Sequence, residues 1–287
     1  MAQYDNCAAD YVASKKEGFR VDVEYFTFLH RMLLPTLGKD ILTNQYHDIL
    51  AGKRILDLAC GDGHYTRKLK EQLGAEEVVG IDISQGMIDI ARAKEDAEPL
   101  GIIYQVADAQ QLPPPIQKYD IVTAFYLLNF ARTSDELKRM VEIIDEQLAD
   151  KQSFFGVITN VCGEANTYNN DKHRKYSFIR EANLENGQLS DGAEVKYTHF
   201  NTKDNSSFSY ITYYLSKETY ERVFKEVGFT NFKWIPMESC PTVEDRAFYD
   251  DFIQYAPAIG IIASKKSIDF SFFSIINKIF SFLFKSK

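Results

Sequence analysis

From residue 54 onward the apolar positions fall into short runs separated by amphipathic stretches, the alternation that strands and crossover helices produce. Ile55, Leu56 and Leu58 form the first run, which ends at Gly61 and Gly63. A helical stretch through Thr66, Leu69 and Leu73 follows, and residues 78–83 form the second run. Ser84 stands where it can cap the next helix, which carries Met87, Ile88, Ile90 and Ala91, and residues 102–106 read as a third strand. Pro113, Pro114 and Pro115 enforce a loop. Beyond it the pattern predicts a strand over 119–125, a helix over 133–148 with Thr133 and Glu136 at capping-box spacing, and a strand over 154–158. Strands that alternate with helices pair in parallel through right-handed crossovers. The expected fold is therefore α/β, a doubly wound Rossmann-like sheet with helices on both faces.

The flanks depart from this rhythm. Before residue 54 the apolar positions Tyr11, Phe19, Val21, Val23, Phe26, Phe28, Leu29, Met32 and Leu33 are spaced as helices, an N-terminal cap over the sheet. Residues 161–206 are polar, rich in Asn and Tyr, and too long for a plain connection; Tyr168, Tyr176, Phe178, Tyr197 and Phe200 mark an inserted, packed lid. Residues 210–215 then read as a strand, 217–227 as a helix closed by Gly228, and 232–237 as the last strand. This organisation assigns residues 1–264 to one domain and 265–287 to a separate tail.

Composition narrows the class. With 45% hydrophobic and 26% charged residues, 15 Gly and 8 Pro, the 287-residue chain is neither disordered nor fibrous. Its 33 Lys and Arg against 41 Asp and Glu leave a net charge of -8, which repels phosphate backbones, so no nucleic-acid partner is expected and a small-molecule substrate is favoured. Cys7, Cys60, Cys162 and Cys240 are scattered, without a C-x-x-C pair or a histidine at zinc-ligand spacing, so no metal site is expected. The first ten residues lack the basic and apolar regions of a signal peptide, and a cytoplasmic setting follows. The tail is the anomaly. Ser267, Ser271, Ser274, Lys278, Ser281 and Lys285 form a narrow polar stripe on an otherwise Phe- and Ile-rich helix. Two readings stand: an in-plane helix making peripheral membrane contact through residues 267–285, or a helix packed on this domain or on a partner subunit.

The chemistry gathers at Asp57-Leu58-Ala59-Cys60-Gly61-Asp62-Gly63, where the first strand turns into a helix. Ligands of open α/β sheets sit beyond the carboxyl ends of the strands, and a glycine-rich turn lets the backbone approach them. Asp82 ends the second strand, placed to accept hydrogen bonds from ribose hydroxyls, and Asp108 follows the third. Together these residues suit a nucleoside. A dinucleotide is disfavoured, because the third glycine position holds Thr66 and Asp62 would face the pyrophosphate. The Gly-Lys-Ser/Thr ending of a phosphate loop is absent. S-adenosylmethionine carries no phosphate and tolerates acidic neighbours. Each acidic residue also has a plainer reading: Asp57 as a brace for the turn, Asp108 as a cap.

These segments resemble the class I S-adenosylmethionine-dependent methyltransferases, through LDLACGDG (56–63), VGIDIS (79–84) and VADAQQLP (106–113). More closely, YDNCAADYVASKK (4–16), YDIVTAFYLLNFA (119–131), KYSFIRE (175–181), ITYYLSKETYE (211–221) and FYDDFIQYAPAIGIIA (248–263) resemble the toxoflavin synthase-type branch of small-molecule methyltransferases. The resemblance implies a mostly parallel sheet whose last strand is antiparallel. It also implies that Gly61 and Gly63 pass under the cofactor, Asp82 holds the ribose, Asp108 lies near the adenine amine, and Ile83 and Met87 pack on the adenine. Phe125 and Tyr126 would border the methionine portion, with Tyr11 and Arg20 closing over it. Ala59, Asp62 and Ala109 complete the expected cofactor contacts.

The implied reaction is N- or O-methylation of a small molecule by in-line displacement, in which positioning does most of the work. If the acceptor must lose a proton, His199, Tyr126 and Tyr197 are the candidate bases, and Asn129 is either a substrate contact or a turn residue. Alternatives are a protein or lipid acceptor at a membrane surface, or a catalytically silent S-adenosylmethionine-binding protein.

Overall fold

The structure, a computed structural model, describes residues 4–5, 8–14, 20–39, 46–163, 167–200, 206–240 and 246–265. Ten strands lie among them: β1 (Arg54–Leu58), β2 (Glu77–Asp82), β3 (Ile103–Val106), β4 (Tyr119–Phe125), β5 (Leu148–Thr159), β6 (Phe178–Ala182), β7 (Glu194–Phe200), β8 (Ser207–Tyr213), β9 (Asn231–Pro236) and β10 (Ala258–Ser264). Seven of them form one sheet in the order β3-β2-β1-β4-β5-β10-β9. The strands from β3 to β5 pair in parallel, and β10 runs antiparallel between β5 and β9. The chain steps outward from β1 to β3 and then returns to the other side of β1 at β4. That reversal opens a crevice at the carboxyl ends of β1 and β4.

Local chemistry fixes the helices between the strands. They are α3 (His64–Glu71), α4 (Gln85–Ala97), α5 (Ser134–Gln147) and α6 (Lys217–Val227). The Ser84 hydroxyl accepts the Met87 N–H at 3.3 Å and starts α4. Thr133 does the same for Glu136 at 3.2 Å, and the Glu136 carboxylate accepts the Arg132 N–H at 2.8 Å. The box forms, displaced by one residue from its usual reciprocal bond to the cap itself. Gly228, at φ 108°, closes α6. Apolar residues are buried on both sheet faces: Leu56, Val122, Ile144 and Phe224 in one core, Met32, Ile55, Phe155 and Ile262 in the other.

The N-terminal cap comprises α1 (Ala8–Ser14), two wide π-helical segments at Arg20–Tyr25 and Phe28–Leu33, and the short α2 (Leu34–Thr36). It lies close on the sheet. A Cβ built on Gly260 of β10 would come within 2.8 Å of the Met32 sulfur.

The structure corrects two expectations. The last strand is β10 rather than residues 232–237; all seven of its positions are buried, so it carries no alternation to reveal it as a strand. Residues 207–213 do not join the large sheet either. They form the outer strand of a separate antiparallel sheet in the order β6-β7-β8, and this sheet occupies most of the expected insertion. Its alternating buried positions Val195, Tyr197 and His199 are the signature of a sheet with one covered face.

No helix among the described residues is long and apolar enough to cross a membrane. The tail from residue 266 onward, with its expected contact through 267–285, lies outside them.

Candidate active site

The turn after β1 is held in a conformation that most residues avoid. Ala59 has φ 55° and Gly61 φ 57°, both left-handed. The Asp82 carboxylate at the tip of β2 locks this turn: one oxygen accepts the Gly61 N–H at 2.8 Å and the other the Ser84 N–H at 2.8 Å. One side chain thus ties the β1 turn to the start of α4. A Cβ on Gly61 would meet nothing within 4 Å, so that position faces open space. Gly63 serves differently. At φ 78° it caps α3, and a Cβ there would fall 2.4 Å from the Tyr104 hydroxyl, so this glycine admits a packed tyrosine rather than lining the crevice.

The acidic residues divide. Asp57 is 1% exposed, and its two oxygens accept the Thr66 and Thr123 hydroxyls, each at 2.7 Å. Of its two readings, the brace is the one the geometry carries. Burial pushes its carboxyl up to about 6, a shift those two hydrogen bonds oppose. Asp62 pairs with Lys94 at 2.5 Å, and the same ammonium reaches the Asp62 carbonyl at 3.0 Å. Asp108 is half-buried; it accepts the Gln110 N–H at 2.9 Å and the Gln111 amide at 2.8 Å. Between Asp82 and α4, Ile83 is 56% exposed, whereas Met87 and Ala109 are buried. Arg20 opens the first wide helical segment, and its side chain lies outside the described residues.

Two adjoining cavities occupy the crevice. The first, about 570 Å³, is floored by Ala59, Gly61, Asp62, Asp82 and Met87 and walled by Phe125, Tyr126 and Tyr11. The sequence reading missed Tyr4, Cys60, His64, Tyr65 and Phe130, which also line it. Cys60 lies inside the LDLACGDG motif and His64 directly follows it, but only the turn's geometry shows that they face the crevice. The second cavity, about 450 Å³, shares Tyr11 and Tyr126 with the first and extends beneath the small sheet. It brings together all three candidate bases, Tyr126, Tyr197 and His199, with Asn129.

Each of these groups is held in place. Tyr126 has φ 64°, donates its N–H to the Val157 carbonyl at 2.7 Å and its phenol to the Glu24 carboxylate. Glu24, 1% exposed on the first wide helical segment, also accepts the Tyr65 phenol at 2.7 Å. The Tyr197 phenol pairs with the Thr159 hydroxyl at 2.9 Å, and His199 Nε2 with the Tyr210 phenol at 3.2 Å. The Tyr197 and Tyr210 rings are parallel within 1°, their centroids 5.4 Å apart. Tyr11 meets His199 edge to face at 5.8 Å, joining α1 to the small sheet over the cavity. Burial, with Tyr210 and Tyr11 nearby, drives the Tyr4 phenol well above its ordinary value, so it stays neutral. Glu24 escaped the sequence reading, although a carboxylate inside the apolar stretch VDVEYF is a signal that could have found it.

A seven-stranded sheet in this order, an antiparallel strand inserted next to its edge and a glycine turn latched by a carboxylate define the architecture of the class I S-adenosylmethionine-dependent methyltransferases. Residues 55–151 match the family described as Methyltransferase domain. Among curated relatives, demethylmenaquinone methyltransferase of Deinococcus radiodurans is 39% identical over 93 residues, covering 32% of this chain and 39% of that protein. The protein of that name from Thermus thermophilus is 42% identical over 95 residues, covering 33% and 43%. Ubiquinone biosynthesis O-methyltransferase of Coxiella burnetii is 38% identical over 79 residues, covering 28% and 33%. The aligned region thus spans about two fifths or less of these relatives' length. An S-adenosylmethionine-dependent methyltransferase from Clostridium acetobutylicum superposes with a TM-score of 0.61 over 91% of this chain and all of its own, at 18% identity. The amino pentose methyltransferase CalS10 of Micromonospora echinaspora gives 0.54 over 89% and 94%, at 15% identity.

Proposed function

We propose that this protein transfers the methyl group of S-adenosylmethionine to a small molecule held in the second cavity. The observation that carries this reading is the junction of the two cavities across Tyr11 and Tyr126. One side has the features of a nucleoside site; the other is walled by aromatic rings.

The residues of the first cavity fit the cofactor. Asp82 presents two acceptor oxygens for ribose hydroxyls, and Met87 lines the floor as an apolar surface for a base, with the exposed Ile83 outside the lining beside it. Asp108, half-buried beyond β3, does not line this cavity; its proposed contact with the adenine amine rests on the family resemblance. Gly61 lets the chain pass close beneath, and Phe125, Tyr126 and Tyr11 would enclose the methionine portion. The acidic floor suits a ligand without phosphates. When bound, S-adenosylmethionine supplies a methyl group on a positively charged sulfur, open to in-line displacement.

The protein's part is positional. Tyr126, fixed by its backbone bond to Val157 and its phenol on Glu24, stands where the cavities meet and sets the approach between them. Such alignment is worth roughly 7–11 kcal/mol of barrier. The rings of Tyr11, Tyr197, Tyr210 and Phe178 exclude water from the acceptor. Tyr197 and His199, each already in a polar pair, are the groups within the second cavity placed to steady the acceptor or relay its proton. The small size and aromatic lining of this cavity favour a small molecule over a protein or lipid acceptor, as do the quinone-pathway activities for which the relatives are named.

The test is a screen of amines, phenols and heteroaromatic compounds with methyl-labelled S-adenosylmethionine. Acceptor-dependent formation of S-adenosylhomocysteine is expected. Cofactor binding without turnover on any compound would favour the silent-binder alternative.

A further inference from the structure

The second cavity is chemically one-sided. Among the described residues no lysine or arginine lines it, while Glu24 places a carboxylate in its wall. That carboxylate is 1% exposed, and the partners it has are two phenols; no cation lies within ion-pair distance of it among the described residues. Removing a carboxylate from water without a countercharge is unfavourable, and two neutral donors compensate only in part. A second, independent observation points the same way. Asn129 is 3% exposed, lines the same cavity, and its buried Oδ1 has no hydrogen-bond partner among the described residues. Buried acceptors of this kind rarely go unmatched in a folded protein. The remaining polar groups of the cavity already form pairs, Tyr197 with Thr159 and His199 with Tyr210. Among its described residues the cavity holds no positive charge, and one of its buried acceptors is unmatched.

We propose that Glu24 and Asn129 make this cavity a donor-selecting site: they receive the N–H groups of a neutral or cationic amine-type acceptor and turn away carboxylates and phosphates. Glu24 binds the acceptor while its two phenol bonds hold the carboxylate on the boundary between the cavities, beside Tyr126. The parallel faces of Tyr197 and Tyr210 favour a cation or a planar group against them. A carboxylate acceptor would instead meet Glu24 by like-charge repulsion and Asn129 Oδ1 by lone-pair repulsion, with no cation among the described lining residues to offset either.

This inference rests on the methyl-transfer reading, and its test separates the two. Wild-type protein is first titrated with S-adenosylhomocysteine; absence of binding would refute the methyl-transfer reading itself and the acceptor site with it. On the saturated protein, benzamidine and benzoate, which share a ring and differ in charge and donors, are compared by calorimetry and by crystal soaking. Benzamidine is expected in the second cavity with at least tenfold higher affinity than benzoate. Glu24→Gln and Asn129→Ala should each weaken benzamidine at least fivefold, and Asn129→Ala should leave S-adenosylhomocysteine affinity within about twofold. Benzoate binding as tightly as benzamidine, neither probe binding, or benzamidine seated outside the cavity would overturn the proposal with the cofactor reading intact. The comparison of the two probes uses wild-type protein, so it decides the matter even if Glu24→Gln does not fold.

Discussion

Asp57 and Asp82 are both buried carboxylates near the carboxyl edge of the sheet, and their partners divide their work. Asp82 accepts backbone N–H groups of the turn it faces, whereas Asp57 accepts two hydroxyls inside the core. Asp57 titrates near 6 in the folded chain, against the ordinary carboxylate range near ~4 when unfolded. Between those values the folded chain retains a proton that the unfolded chain has released. Stability from this group is therefore full below about pH 4 and is lost as the pH rises to about 6, an effect on the order of 2–3 kcal/mol. Urea denaturation should accordingly show Asp57→Asn gaining stability relative to wild type between pH 4 and pH 7; a difference that stays constant with pH would refute the assignment. Gly63→Ala places a Cβ at φ 78° against the Tyr104 hydroxyl, and a loss of about 1–3 kcal/mol is expected by the same measurement. Asp82 and Gly61 were legible in the sequence because β1, its turn and β2 are close along the chain, so spacing alone places them. Glu24 and Tyr126 stand 102 residues apart, and no local pattern announces that they meet.

The strands and helices from residue 54 to 159 were readable because each carries its own periodicity and caps. Thr133→Ala should cost about 1 kcal/mol in thermal or urea unfolding through the lost cap of α5, with S-adenosylmethionine affinity unchanged, since α5 does not border the crevice. Later elements resisted for two reasons. β10 is buried on both faces and reads as a plain apolar run, and the polar connections that join β6, β7 and β8 hide that these strands pair only with one another. The small sheet places Tyr197, His199 and Tyr210 on one side of the second cavity, through a register that sets Tyr197 opposite Tyr210. Tyr197→Ala should therefore impair acceptor turnover tenfold or more and leave cofactor affinity within about twofold, as measured by steady-state kinetics and calorimetry. An equal loss of both would place Tyr197 in the cofactor site instead.

At the scale of the molecule, three parts converge on one point: the sheet edge supplies Asp82 and the glycine turn, the N-terminal cap supplies Tyr11 and Glu24, and the small sheet supplies the aromatic wall. The sequence pattern predicted the first part and the presence of the other two, but not the contact that closes them, Tyr11 of α1 against His199 of β7. Side chains from sequentially distant segments build that contact. The central claim is that Asp82 holds S-adenosylmethionine in the first cavity, and calorimetric titration of the cofactor into wild type and Asp82→Ala tests it most directly. One site per chain in wild type and at least a tenfold weaker site in the variant, about 1.4 kcal/mol or more, is the predicted result. No binding by wild type, or the same affinity in a folded variant, would contradict it.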